Sequence, residues 1–133
     1  MKEEATNADA YMMPVLGVVR HEDDILFYDA PILFTIRDAN EERYIGIRAK
    51  SNNDFCIHWF AKISDERYAD LRDGMIDIRE PFTQCSLVLV LYEDFQSSIE
   101  QAAWVPPELL ESRRMPVIGA RLLPIAQKGS TIS

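Results

Sequence analysis

A chain of 133 residues, 47% apolar and 27% charged, suits one globular domain with a core of its own and excludes a wholly disordered chain. Its net charge of −8 disfavours direct partnership with nucleic acid or an anionic membrane, because both repel it. No apolar run approaches the roughly 18 residues of a membrane-crossing helix, and the start MKEEATNADA lacks the basic and apolar segments of a signal peptide, so a cytoplasmic location is expected.

Residues 1–12 read as a flexible leader. Residues 13–19 read as a first strand, with Pro14 near its start, where a missing N–H is tolerated. The cluster His21-Glu22-Asp23-Asp24 reads as a turn, and 25–28 is short and apolar. Asp29-Ala30-Pro31 breaks the run, because proline fixes its own φ and pushes the preceding residue to extended geometry. Residues 31–37 then alternate Ile32, Phe34 and Ile36 against Leu33, Thr35 and Arg37. Residues 43–50 alternate Ile45, Ile47 and Ala49 against Tyr44, Gly46 and Arg48. Residues 55–62 place Phe55, Ile57, Trp59 and Ala61 on one face, and Cys56, His58, Phe60 and Lys62 on the other. Polar connections at 38–42 and 51–54 join these three runs. Period-two patterning with short turns predicts an antiparallel meander.

Residues 64–73 predict a short helix. Ser64 can cap it, Asp65 and Glu66 sit in its first turn, Ile63 and Tyr68 have staple spacing, and Gly74 lies just past its end. Residues 86–92 (SLVLVLY) form the most apolar run and predict a central strand. Residues 94–103 predict a helix, with Phe95, Ile99 and Ala102 or Ala103 on one side. Pro107 can open a second short helix. Residues 115–123 hold Pro116 and Gly119 and read as extended or irregular, and the chain from about Ala126 reads as a disordered tail. The expected organisation is therefore a leader (1–12), a core domain (13–92), a C-terminal arm (93–125) and a tail (126–133).

Several of these stretches recur together in a known pattern. They are Phe27-Tyr28-Asp29-Ala30-Pro31-Ile32-Leu33-Phe34, Arg43-Tyr44-Ile45, Ser64-Asp65-Glu66-Arg67, Leu71-Arg72-Asp73-Gly74 and Ile76-Asp77-Ile78-Arg79. In this order they resemble a family of small bacterial proteins defined only as a domain of unknown function, with the pattern YYDGP-LF, RYL and SPERLxxLRxGxIDLR. The likeness covers about residues 25–82, and Ala30 departs from the family's glycine. It implies a bacterial or phage-borne, β-rich module and brings no activity, cofactor or catalytic residue.

Few residues suggest chemistry. Cys56 and His58 lie two apart on one strand face, a spacing that suits a structural face better than a nucleophile and its base. The acids beside His21 lack the spacing of a calcium loop and suit a solvated turn. Cys56 and Cys85 read as reduced, buried thiols. No phosphate-binding, metalloprotease, nucleophile-elbow or Cys-x-x-Cys motif occurs. No catalytic residue, cofactor or metal is expected.

Other residues suggest recognition. Tyr28 and Asp29, beside Pro31, read either as a structured turn or as a recognition corner. Trp59 and Phe60 face opposite ways. Trp104, in Trp-Val-Pro-Pro, is a candidate interface anchor. Residues 1–66 hold 7 basic and 13 acidic residues, −6, whereas 112–133 hold Arg113, Arg114, Arg121 and Lys128 and no acid. This basic tail either packs back on the acidic body or docks on a partner.

The expected fold is α+β: a twisted antiparallel sheet of five or six strands, curled toward a partial barrel. One short helix follows the meander, with a helical or irregular C-terminal arm. The expected function is a non-catalytic protein-interaction module. It would be an accessory or regulatory subunit of a bacterial complex, in anti-phage defence or toxin control, bound to a larger protein through Tyr28, Asp29, Trp104, Arg113, Arg114 and Arg121. A free edge strand would equally support a homodimer. Two alternatives stand beside this one: an acidic nucleic-acid mimic that inhibits a DNA-binding protein, and a small enzyme whose site carries no known motif.

Overall fold

The computed structural model describes residues 10–28, 30–110 and Leu122. Seven strands form one sheet in strict sequence order. They are β1 (Ala10–Met13), β2 (Gly17–Tyr28), β3 (Ala30–Asp38), β4 (Arg43–Ser51), β5 (Phe55–Lys62), β6 (Val88–Asp94) and β7 (Ile99–Val105). Every neighbouring pair is antiparallel. Helices α1 (Asp65–Arg72) and α2 (Glu80–Thr83) lie between β5 and β6, and a 3₁₀ turn (Pro107–Leu109) follows β7. The protein is thus α+β, a meander curled into a partial barrel. The curl brings the first strand round to the last two, so that Tyr11 of β1 lines one cavity with Glu93 of β6 and Glu100 of β7.

Alternation along the central strands gives the sheet two buried faces. On the outer face Leu33, Ile45, Ile47, Trp59, Ala61 and Val88 pack with Tyr68 and Leu71 of α1 and Phe82 of α2. On the inner face Met13, Val19, Phe34, Ile36, Tyr44, Phe60, Leu89 and Leu91 form a second cluster. Helices cover one face and curvature closes the other, so both halves of the period-two pattern are apolar. Trp59 and Phe60 face opposite ways as expected, and both are buried, one in each core.

Local chemistry explains the punctuation. Asp38 accepts from the N–H groups of Asn40 and Glu42 in the β3–β4 turn, and Asn52 accepts from those of Asp54 and Phe55 in the β4–β5 turn. Ser64 Oγ accepts from Arg67 N at 3.1 Å, which caps α1. Ile63 and Tyr68 meet in the outer core as a staple. Gly74 takes φ +75° just past the helix, a conformation a side chain would resist. Arg67 of α1 pairs with Glu80 of α2 and ties the two helices together.

The structure departs from the sequence expectations in four places. Residues 10–12 belong to β1, paired with β2, and not to a leader. The expected first strand at 13–19 is instead the end of β1, a turn at 14–16 and the start of β2. The acidic cluster at 21–24 is no turn, because β2 runs straight through it with an irregular register against β3 between His21 and Asp23. Residues 94–103 are no helix. Asp94 Oδ1 accepts from Gln96 N and Ser97 N, Ser98 takes φ +61°, and the chain returns as β7 along β6. The sheet gains its seventh strand this way, and residues 99–105 of the expected arm become part of the core domain. The short helix opened by Pro107 is present as a 3₁₀ turn. Leu110 and Leu122 pack against the outer core.

Candidate functional site

Three places concentrate side chains that chemistry or recognition could use. The first is an ionic cluster on the outer side of β2, β3 and β4. Glu22 accepts from Arg37 Nε at 2.8 Å and from Arg43 Nε at 2.8 Å. It also accepts from the fully buried Thr35 hydroxyl at 2.9 Å. Arg43 also binds Asp65 at 2.6 Å and lies over the Tyr68 ring at 4.3 Å. The Arg43 guanidinium first, and the bonds from Arg37 and Thr35 with it, outweigh burial and hold the Glu22 carboxyl down at about 2. Burial and the bond to Asp23 push the Tyr68 hydroxyl up to about 12. His21 pairs with Asp24 at 2.7 Å. The acids at 21–24 are therefore shared out among neighbouring cations and hydroxyls, and no metal-holding group of three or more His, Cys, Asp or Glu occurs among the described residues. This cluster ties β2 to α1.

The second place is the inner trough, a cavity of about 430 Å³ that contains Cys56 and His58. Cys56 Sγ lies 3.6 Å from His58 Nδ1, so the two groups do meet. Burial raises the Cys56 thiol, while burial and the nearby Arg48 hold His58 down at about 4. An activated thiolate–imidazolium pair needs the opposite shifts. The pair is a neutral thiol beside a neutral imidazole. His58 also joins an aromatic floor, with centroid separations of 5.7 Å to Phe34 and 6.1 Å to Phe60.

The third place is the end of the sheet. β7 is bonded to β6 on one side, and among the described residues nothing pairs with its other side. Its residues are mostly exposed: Ile99 is 53% and Trp104 39% accessible. Beside it on the outer face runs a groove of about 630 Å³ between Ile57 and Trp59 on one wall and Ala103 and Val105 on the other. Leu109, 70% exposed, overhangs it from the 3₁₀ turn. Lys50 Nζ stands 5.3 Å from the Phe55 ring at its far end.

The residues singled out from sequence fare unevenly. Trp104 lies on β7 opposite Leu89, at the rim of the sheet near Lys62 and Leu87. Tyr28 ends β2, with its backbone paired to Ala30. Asp29, Arg113, Arg114 and Arg121 lie outside the described residues. The free edge at Ile99–Val105 was hidden by the helical spacing of its apolar residues. The signal that could have revealed it is Asp94 followed by Ser97-Ser98, a turn-forming set directly after the strongest strand.

Among the described residues, no helix is long and apolar enough to cross a membrane. Comparison with family models, with curated proteins and with solved structures gives no match.

Proposed function

We propose that the protein is a non-catalytic protein-interaction module, an accessory or regulatory subunit that takes up an extended segment of a larger protein along the free edge of β7. The observation that carries this reading is the edge itself. A seven-residue strand with one charged side chain, Glu100, presents a row of backbone groups that no described residue pairs with. Their natural complement is another strand, and strand addition is a recurring mode of peptide recognition.

The surroundings supply specificity. A strand added to β7 would send alternate side chains over the apolar groove beside Ala103 and Val105. Exposed Trp104 supplies an aromatic anchor at the rim. The net charge of −8 favours a partner segment carrying Lys or Arg next to its apolar positions. The apolar groove and the edge are contiguous, unlike scattered exposed residues.

The test is a substitution that blunts the edge without touching the core. Ala103 is exposed and lines the groove, so Ala103→Lys places a charge in the groove that the added strand's side chains would enter. Affinity capture of the full chain from its host should yield one stoichiometric partner. That partner should be lost with Ala103→Lys and kept with Asn53→Lys, which lies in the β4–β5 turn and not in the groove. Retention of the partner by Ala103→Lys, or recovery of nothing beyond a second copy of the chain, would overturn the reading.

A further inference from the structure

We propose that the inner trough is a binding site for a small organic cation, an amine carried on a flat apolar body. Three of this protein's partly buried acids are matched by a cation: Glu22 by Arg37 and Arg43, Glu80 by Arg67, Glu42 by Lys62. Glu93, half-buried, and Glu100, exposed, are placed differently. They are direct cross-strand partners on β6 and β7, and both line the trough. Like charges placed opposite one another on a sheet destabilise it. Neither carboxylate takes part in an ion pair among the described residues. A cation between them would remove the repulsion and gain two charge-assisted hydrogen bonds.

The rest of the cavity suits the body of such a ligand. Phe34 and Phe60 form the floor, with ring centroids 5.8 Å apart and planes at 79°. Tyr11 and Phe95 stand at the rim, Tyr11 reaching across from β1. Burial, then the charges of Glu100 and Glu93, raise the Tyr11 hydroxyl, which keeps it a neutral donor at the mouth. Aromatic faces attract organic cations and accept flat apolar groups. His58 is neutral at physiological pH and adds no repelling charge. Among the described residues, the one permanent cation lining the cavity is Arg48 on β4. It stands two strands from Glu93, roughly 10 Å away in the hydrogen-bonding direction. The trough therefore holds two carboxylates on β6 and β7 and one guanidinium on β4, with Cys56 and His58 of β5 between them and the Phe34–Phe60 floor alongside. Its volume of about 430 Å³ lies within the range of small-ligand sites.

The experiment titrates the full chain with tryptamine, and in parallel with indole-3-acetate, which has the same ring and the opposite charge. Binding is read by NMR shifts and calorimetry on wild type, Glu93→Gln and Glu100→Gln. Tryptamine should shift resonances of Tyr11, Phe34 and Phe60 and bind at least about tenfold more tightly than indole-3-acetate. Either glutamine variant should weaken tryptamine several-fold. Each should also melt higher than wild type without ligand, because the repulsion is gone. The melting temperature separates a lost site from a lost fold. The proposal is overturned if millimolar tryptamine shifts nothing in the trough, if the anion binds as well, or if both glutamine variants bind tryptamine like wild type.

Discussion

Gly46 illustrates how much one position can decide. It sits on β4 directly opposite Phe34 on β3 and Phe60 on β5, and both rings lean over it. A Cβ at this place would lie 2.5 Å from Phe60 and 3.0 Å from Phe34. Gly46→Ala should therefore destabilise the domain by about 1–3 kcal/mol through overpacking, measured as a lower urea midpoint. An unchanged midpoint would mean that the aromatic floor gives way freely. His58, beside the same rings, couples the inner face to pH. Its folded pKa of about 4 lies below its ordinary 6.5, so the unfolded chain takes up a proton that the folded one resists. This contribution is complete above pH 6.5 and is lost as pH falls through about 4. Glu22, at about 2 against an ordinary 4.5, adds a second loss at lower pH, as pH falls from 4.5 toward 2. Stability should thus decline in two stages on the acid side. His58→Leu should flatten the upper stage and leave the lower one. Equal slopes in wild type and variant between pH 6.5 and 4.5 would contradict the assignment to His58.

At the scale of elements, legibility followed the strength of local signals. β3, β4 and β5 were readable because alternation, Asx turns and short connections all agreed, and their face assignments hold residue by residue. α1 was readable from its cap, staple and terminal glycine. The misses came where tertiary pairing outweighed local appearance. Glu22 and Asp23 look like turn residues in isolation. They sit in a strand because Arg37 and Arg43 stand on the neighbouring strands and Tyr68 on the facing helix to receive them. Ile99, Ala102 and Ala103 have helical spacing, but β6 offered a free edge and the Asp94 turn directed the chain back to it. This changes the meaning of the C-terminal segment. A chain cut before Trp104 would lose two residues that pair with Leu89 and Val88, so the region beyond β7, and not residue 104, is where a truncation leaves the sheet whole. Of the candidate sites, Trp104 and the shared face of Cys56 and His58 were legible in advance. The groove joins Trp59 of β5 to Ala103 of β7, 44 residues apart in sequence, and the Glu93–Glu100 pair forms across a hairpin, 7 residues apart, which no local pattern reports.

For the molecule as a whole, the simple meander leaves the two ends of the sheet unlike one another. β1 is four residues long and curls over the trough, whereas β7 is seven residues long and mostly exposed beside an apolar groove. The proposed interface is this second edge. Hydrogen–deuterium exchange of the full chain, alone and in complex with its captured partner, tests it most directly. In an antiparallel strand about every other amide faces the neighbour already in place, and the rest face outward. The outward amides of Ile99–Val105 should exchange fast in the free protein and slow strongly in the complex, while β1 stays unchanged. Outward amides already protected in the free protein, or protection on complex formation that spares β7 and falls elsewhere, would contradict the claim.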